Sequence, residues 1–424
     1  MKLQQGDKNQ GIFSKYGWFI LVVSVFFIAF FIIQNINNRF WLHDYEVYYS
    51  AANSFINGGQ VYGIPYGLSS GLYKYSPFAL IVFTPFAILP FIVAKIIHFL
   101  LLSLCIITGI IISVRLSNKY FFENDERRSY NLMLFLTFLP LLPNVYTELH
   151  LGNINIILLF IFLMALRALL SGKEINAGLL ITLGILIKPH FLVFIPLLLI
   201  RKKFRTSATI FAGLAAGTLL PALFTGISNN IFLQRSWMAT MLLHNNSLIS
   251  GQDTIYSWIY RSFVQYIFPN AVDHDKLFGF IVLFVVAIAF LCMIILHLKK
   301  ENQAGSLPDL KKNNFIFEFI VMLAIVPNIT VTDSEHFLLS VPLIAFIVTG
   351  FFRHRENIFI KLTGVVCLVL YGINIREVIG KVCSNWFTAN GMLGLANLML
   401  IAFGIFIYSK LQQNKILTGN KVPN

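Results

Sequence analysis

Two acids, Asp44 and Glu46, lie about ten residues past the end of an apolar run from Tyr16 to Ile33, in the stretch QNINNRFWLHDYEVYYSAANSFINGGQVYG. A carboxylate pair at the edge of a membrane bundle can act as a general base or bind a metal, because partial desolvation raises a carboxylate pKa toward working pH. As ordinary loop acids they could instead pair with Arg39 or cap a helix starting near Tyr45. Asp44 lies near the start of the outer loop after a fixed span, so its backbone is expected to be better anchored than that of Asp253 or Asp273 in the longer loop. Glu46 would point off the Asp44 face in a helix or a strand.

Three more clusters could do chemistry. In NVYTELHLGNINIILLFIF, His150, Gly152, Asn153 and Asn155 open an apolar run. Amides at membrane depth need partners or a polar ligand, whereas a histidine at a helix start caps as readily as it ligates. In AGLLITLGILIKPHFLVF, Lys188 interrupts a long uncharged stretch beside Pro189 and His190. A lysine there must snorkel or meet an anion. A helix broken at Lys188-Pro189 would also expose backbone N–H groups, making a phosphate-binding corner of Lys188 and His190. In VPNITVTDSEHFLLSVP, Asp333, Ser334, Glu335 and His336 form a tight polar link between apolar runs. Any helical hairpin needs such a link, so what matters is whether these clusters converge.

The elements that must position them are membrane helices. The chain has 424 residues, 57% of them hydrophobic and only 12% charged, with a mean hydropathy of +0.75. Soluble domains carry roughly a quarter charged residues, and apolar stretches of about 17–25 residues are the mark of spanning helices. A formal net charge of +14 would suggest nucleic acid in a soluble protein. Here the basic residues sit in short loops, where they set topology and meet lipid headgroups, so membrane lipids and not nucleic acid are the expected partners. Cys105, Cys292, Cys367 and Cys383 have no paired spacing and suggest neither a disulfide framework nor a zinc site. The first apolar run is too long for a signal-peptide core and reads as a span.

Basic segments at 201–205, 299–300, 311–312, 353–355 and Lys410 mark the cytoplasmic side. Spans are expected near 17–36, 95–114, 130–147, 153–170, 175–187, 189–200, 206–224, 277–297, 315–331, 336–351, 358–375 and 391–409. That is an all-α polytopic protein with about twelve crossings and both termini inside. The stretch 76–91 could cross or half-insert, and 175–200 could be one span or a pair broken at Lys188-Pro189; the half-inserted helix and the broken pair are preferred. All four polar clusters then fall on the outer face. The whole chain, 1–424, is expected to form one membrane domain, with a catalytic module at 17–224, an outer loop at 225–275 and C-terminal helices at 277–409.

At these residues the chain resembles the polyprenyl-phosphate-mannose-dependent mannosyltransferases of glycosyltransferase family 87, whose fold is the GT-C membrane fold. The matching blocks are D-Y followed by A-N-S-F-I-N-G-G-Q-V-Y (44–62), Y-K-Y-S-P-F with T-P-F-A-I-L-P (73–90), L-G-N-I-N-I-I-L-L (151–159) with A-G-L-L-I-T-L-G-I-L-I-K-P (177–189), and D-S-E-H (333–336). The chain departs from the family in having Gly152-Asn153 where Gly-Gln is more usual, and Glu335 where Asp is expected. The resemblance implies transfer of a hexose, mannose by analogy, from a polyprenyl-phosphate donor to a lipid or glycan hydroxyl, with inversion, at the outer face of the cytoplasmic membrane. It implies Asp44 as catalytic base with His336 in the same pocket, and Lys188 with His190 at the donor phosphate. Glu46, Tyr75, His150, Asn153, Asn155 and Glu335 become substrate contacts. No cofactor is implied and no metal is required, although Asp44-x-Glu46 is similar to metal-binding pairs elsewhere among GT-C enzymes.

Rival functions use the same parts. A multi-pass transporter or flippase would have broken helices and intramembrane charge, but no half-repeat is evident. A polymerase or ligase of lipid-linked glycans would be expected to carry several arginines in its large outer loop, and 225–275 offers only Arg235 and Arg261.

Overall fold

In lipid every backbone polar group must be satisfied within its own segment, so apolar runs of this length fold as helices. The computed structural model describes residues 12–67, 71–122, 130–245, 253–259, 308–329, 333–353 and 358–419. Their helices are α1 (Ile12–Ile36), α2 (His43–Ile56), α3 (Pro77–Ala87), α4 (Phe91–Tyr120), α5 (Tyr130–Phe138), α6 (Leu142–Leu151), α7 (Asn155–Leu170), α8 (Glu174–Ile187), α9 (Phe194–Ile200), α10 (Phe204–Leu219), α11 (Ala222–Thr225), α12 (Ile227–Asn245), α13 (Ile255–Ile259), α14 (Pro308–Ile325), α15 (Val341–Arg353), α16 (Ile358–Gly372), α17 (Arg376–Ala389) and α18 (Met392–Gly419). Apart from one antiparallel bridge between Pro65 and Leu72, no β-pairing occurs among them.

Among the described residues, Tyr16–Ile36, Phe91–Tyr120, Tyr130–Leu151, Phe204–Thr225, Ser334–Phe352 and Met392–Gln412 are long and apolar enough to cross a membrane. A seventh crossing arises if α16 and α17, bent by 79°, form one broken span. The chain is therefore a polytopic helical membrane protein. The sequence led us to expect more crossings, and the difference lies in helix length. The runs at 153–170 and 175–187 form helices of 16 and 14 residues, short of the roughly 20 needed to span. The run at 189–200 is a 3-10 turn, Pro189–Val193, leading into the 7-residue α9. In 76–91 the helix α3 is only 11 residues long, and α4 begins at Phe91, which fits a half-inserted helix. The expected span at 277–297 and part of the 225–275 loop lie outside the described residues, but Ile227–Asn245 of that loop is a 19-residue helix.

Small residues let the central helices pack closely, the usual device where lipid removes any hydrophobic drive for helices to associate. A Cβ on Gly178 would lie 2.6 Å from Thr209, one on Gly213 2.8 Å from Thr182, and one on Gly184 2.4 Å from Phe162. α8 thus sits directly between α7 and α10. Phenylalanines knit α1 to its neighbours: Phe30 stacks on Phe99 of α4 at 6.0 Å, and Phe19 meets Phe135 of α5 at 5.4 Å.

Two ends of the bundle differ in charge. At one, Arg115 lies over Tyr16, Lys312 over Tyr120, Lys203 pairs with Glu174 at 3.2 Å, and Arg201 with buried Glu318. At the other, the end of α1, the starts of α2 and α4, the α6–α7 junction, the end of α8 and the 334–340 turn come together.

Candidate functional site

Asp44 stands in the first turn of α2, where the partial positive charge of a helix start favours a carboxylate. Leu42, just before the helix, is buried with φ 52°, an uncommon conformation for a branched side chain that turns the chain sharply from α1. Glu46 lies apart from Asp44, with its carboxylate 3.9 Å from His43 Nδ1.

α6 ends in Gly152 at φ 70°, the left-handed residue that commonly closes a helix. A Cβ there would lie 2.9 Å from Leu42 Cβ and 3.0 Å from Tyr45 Cβ. Only glycine therefore lets the junction lie against α2. His98 of α4 holds the same turn, with Nε2 2.9 Å from Gly152 O and its ring stacked on Tyr45. Glu148, fully buried, accepts the Ile156 backbone N–H at 2.8 Å and the Asn155 amide at 3.0 Å. It thereby satisfies a donor that the start of α7 would leave unpaired.

This junction delivers Asn153. Its Nδ2 donates to Asp44 Oδ2 at 2.8 Å and to Glu335 Oε1 at 3.1 Å. Its Oδ1 accepts from Ile154 N–H at 2.8 Å, Tyr48 at 3.2 Å and Tyr75 at 3.4 Å. A backbone N–H can only donate, so the network fixes which side of the amide is oxygen. Both amide hydrogens then face carboxylates.

Lys188 closes α8 in an extended conformation (φ −127°, ψ 104°), as expected of a residue before proline. Its buried ammonium donates to Asn155 Oδ1 at 2.7 Å and lies 2.9 Å from His336 Nε2. An ammonium has three hydrogens, so one is left for another acceptor. Because Lys188 donates to Nε2, the proton of a neutral His336 is assigned to Nδ1, which lies 3.4 Å from Glu335 Oε1. Glu335 and His336 ride the 3-10 turn Ser334–Ser340, whose Ser334 hydroxyl reaches Thr147 at 3.4 Å.

Two hydrogen-bonded runs, Asp44–Asn153–Glu335 and His336–Lys188–Asn155–Glu148, thus meet where His336 Nδ1 lies 3.4 Å from Glu335 Oε1 without a hydrogen bond between them, and together they form one polar chain. Burial pushes the Asp44 carboxyl up to about 7, helped by the negative charge of Glu335 and opposed by Lys188. Burial also raises Asp333, again aided by Glu335. Several buried polar atoms have no hydrogen-bond partner among the described residues: Glu335 Oε2, His336 Nδ1 and His190 Nε2. Such atoms are rare in native proteins, and here three of them cluster beside Lys188 and Glu335. No group of three or more His, Cys, Asp or Glu among the described residues is placed to hold a metal ion.

Of the residues singled out from sequence, Asp44, Asn153, Asn155, Lys188, Glu335, His336 and Tyr75 meet in this chain or touch it. Tyr75 contributes its hydroxyl, 2.8 Å from that of Tyr48, and its ring, 5.7 Å beneath the Lys188 ammonium. His190 stands beside the chain, within the field of Lys188 and His336. His150 faces away and stacks on Tyr146 at 5.8 Å, with Trp41 at the same distance. Sequence reasoning missed Glu148, Tyr48 and His98. Glu148 carried a usable signal, since an acid inside an apolar span is as conspicuous as Lys188.

A model of glycosyltransferase family 87 matches residues 73–308, more than half of the chain. The match takes in Tyr75, Glu148, Asn153, Asn155 and Lys188, while Asp44 and the 333–336 turn lie outside it. No curated protein matches the chain.

Proposed function

The chain belongs to glycosyltransferase family 87, and from that we propose that this multi-pass membrane glycosyltransferase moves a hexose, mannose in our reading, from a polyprenyl-phosphate donor to a lipid or glycan hydroxyl. The observation that carries the proposal is the pairing of a cation with a raised carboxylate. Lys188 and Asp44 belong to two hydrogen-bonded runs that meet where His336 lies against Glu335 at one end of the bundle, and transfer from a lipid phosphate needs both an anion site and a base.

In this reading Lys188 offers its remaining N–H to the donor phosphate, with His336 and His190 beside it. Binding there stabilises the negative charge that grows on the phosphate as the sugar carbon–oxygen bond breaks. Asp44 takes the proton of the acceptor hydroxyl as that oxygen attacks from the opposite face of the sugar, so the configuration inverts. The departing lipid phosphate keeps the bonding electrons, and the proton ends on Asp44. A carboxylate near pKa 7 is well matched to this role, because about half of it is ionised near pH 7 and its basic form is stronger than that of an exposed aspartate. Glu335 and Tyr75 line the same space.

The basic end of the bundle supports a cytoplasmic assignment for that end and both termini, by the bias of Lys and Arg toward cytoplasmic loops. The site then faces outward across the cytoplasmic membrane, as in a GT-C enzyme. The test is direct: purified protein in detergent is given polyprenyl-phosphate mannose and the lipid extract of a strain deleted for this chain, and products are read by mass spectrometry. A glycolipid heavier by one hexose is expected. Transfer from a sugar nucleotide alone, or no transfer from any polyprenyl-phosphate sugar, would overturn the proposal.

A further inference from the structure

Asp253 belongs to none of the contacts described so far, yet it is built with care. Its side chain is 6% exposed and its Oδ1 has no hydrogen-bond partner among the described residues. Its backbone is pinned on both sides: its N–H donates to Thr388 O at 3.1 Å, and its carbonyl accepts from Gly394 N–H at 2.9 Å. Asp253 was expected to be less firmly anchored than Asp44; the Thr388 and Gly394 contacts nevertheless hold its backbone on both sides. It also adopts φ 66°, a left-handed conformation that is uncommon among non-glycine residues.

Two glycines make room for it. A Cβ on Gly391 would lie 1.9 Å from Thr254 O, and one on Gly394 would lie 2.5 Å from Ile255 N and 3.1 Å from Asp253 O. The segment 253–259 therefore lies backbone to backbone on the first turn of α18. The next turn of α18 carries Asn397, which receives the hydroxyl of Ser340 at 2.7 Å, and Ser340 ends the turn that bears Glu335 and His336. One helical turn is about 5.4 Å, so Asp253 is seated just beyond the 334–340 turn. It also feels the charges of Asp333 and Glu335.

A buried carboxylate oxygen without a donor is costly, and the ligand that relieves it must bring one. Phosphate is unsuited, because Asp253, Asp333 and Glu335 present like charges to it. A neutral polyol fits: its O–H donates to Oδ1 and it carries no charge to repel. We propose that Asp253 binds a hydroxyl of the glycan acceptor and defines the acceptor side of the transfer site. This rests on the transferase reading above.

The test compares wild type with Asp253→Asn, which keeps the shape but places an amide where the hydroxyl must donate. Polyprenyl-phosphate mannose is the donor and the deletion-strain lipid extract the acceptor, with polyprenyl phosphate titrated separately for donor-site affinity. The apparent acceptor KM should rise by about tenfold or more, the loss expected for a hydrogen bond to a charged group, while polyprenyl-phosphate Kd moves less than about twofold. Gly394→Ala, which displaces the segment without altering its chemistry, should move KM in the same direction. An unmoved acceptor KM, or donor affinity lost in equal measure, overturns the proposal, as does a lowered melting temperature that accounts for the whole effect. Failure of wild type to transfer from any polyprenyl-phosphate sugar would sink the transferase reading instead, so the two failures are distinguishable.

Discussion

Asp44 and Glu335 are joined through a single nitrogen: Asn153 Nδ2 lies 2.8 Å from one carboxylate and 3.1 Å from the other. The Ile154 N–H holds the opposite side of the amide at 2.8 Å, so the group cannot flip without losing a backbone bond. Asn153, expected from sequence to contact substrate, has both donor hydrogens engaged by protein. Its role in our reading is to aim Asp44.

Replacing Asp44 with Asn keeps the size of the side chain and removes its basicity. The variant should insert, melt as wild type does within a few degrees, and bind polyprenyl phosphate, while transfer falls by about 10²- to 10⁴-fold, the usual contribution of a general base. Single-turnover assays with saturating donor will measure it. Retained transfer would move the base to Glu335.

The pH dependence has opposite signs for rate and stability. Asp44 is pushed up to about 7 from an ordinary 3.8, so its basic form, and with it the transfer rate, should grow as pH rises through 7. Folding responds the other way. Between the two values the folded state holds a proton that the unfolded state has lost, so this group's contribution to stability is complete below about 4 and disappears as pH rises through about 7. A pH–rate profile with its acid limb near 7, absent in Asp44→Asn, is the expected outcome; a limb near 4 would mark Asp44 as an ordinary exposed acid.

Lys188→Gln should weaken polyprenyl-phosphate binding by about tenfold or more, since hydrogen bonds to charged groups are worth about 1.5–3 kcal/mol. Acceptor KM should change little. Equal effects on both ligands would reassign the lysine to a structural role, bracing Asn155 and His336.

Gly152→Ala tests the backbone. The new methyl would meet Leu42 and Tyr45 at about 3 Å, and alanine is strained at φ 70°. A loss of about 1–3 kcal/mol in stability is expected, read as a lower melting temperature. Transfer should fall further than stability alone explains, because α2 carries Asp44.

The sequence made the helical character of the chain plain, since lipid leaves few alternatives for long apolar runs. It also pointed to Asp44, Lys188 and the 333–336 turn, because a charge in greasy surroundings stands out. What it overestimated was the number of crossings: Asn155–Leu170 and Glu174–Ile187 fall close to the expected bounds, 153–170 and 175–187, but at 16 and 14 residues they are shorter than the roughly 20 a span needs. Glu46 and His150 are of the right residue type but point away, because helical phase, not proximity in sequence, sets direction. Glu148 was overlooked because its function is to cap a helix start across a turn, a contact that no periodicity reveals.

The convergence of Asp44, Asn153, Glu335, His336 and Lys188 also bears on biosynthesis. Asp44, Asn153 and Lys188 emerge from the ribosome in the first half of the chain, whereas Glu335 and His336 come much later. Until the 334–340 turn arrives, Lys188 lacks the imidazole that steadies it and Asn153 can bind only one of its two carboxylates. A nascent chain would thus be inserted in the bilayer yet inactive through most of its translation.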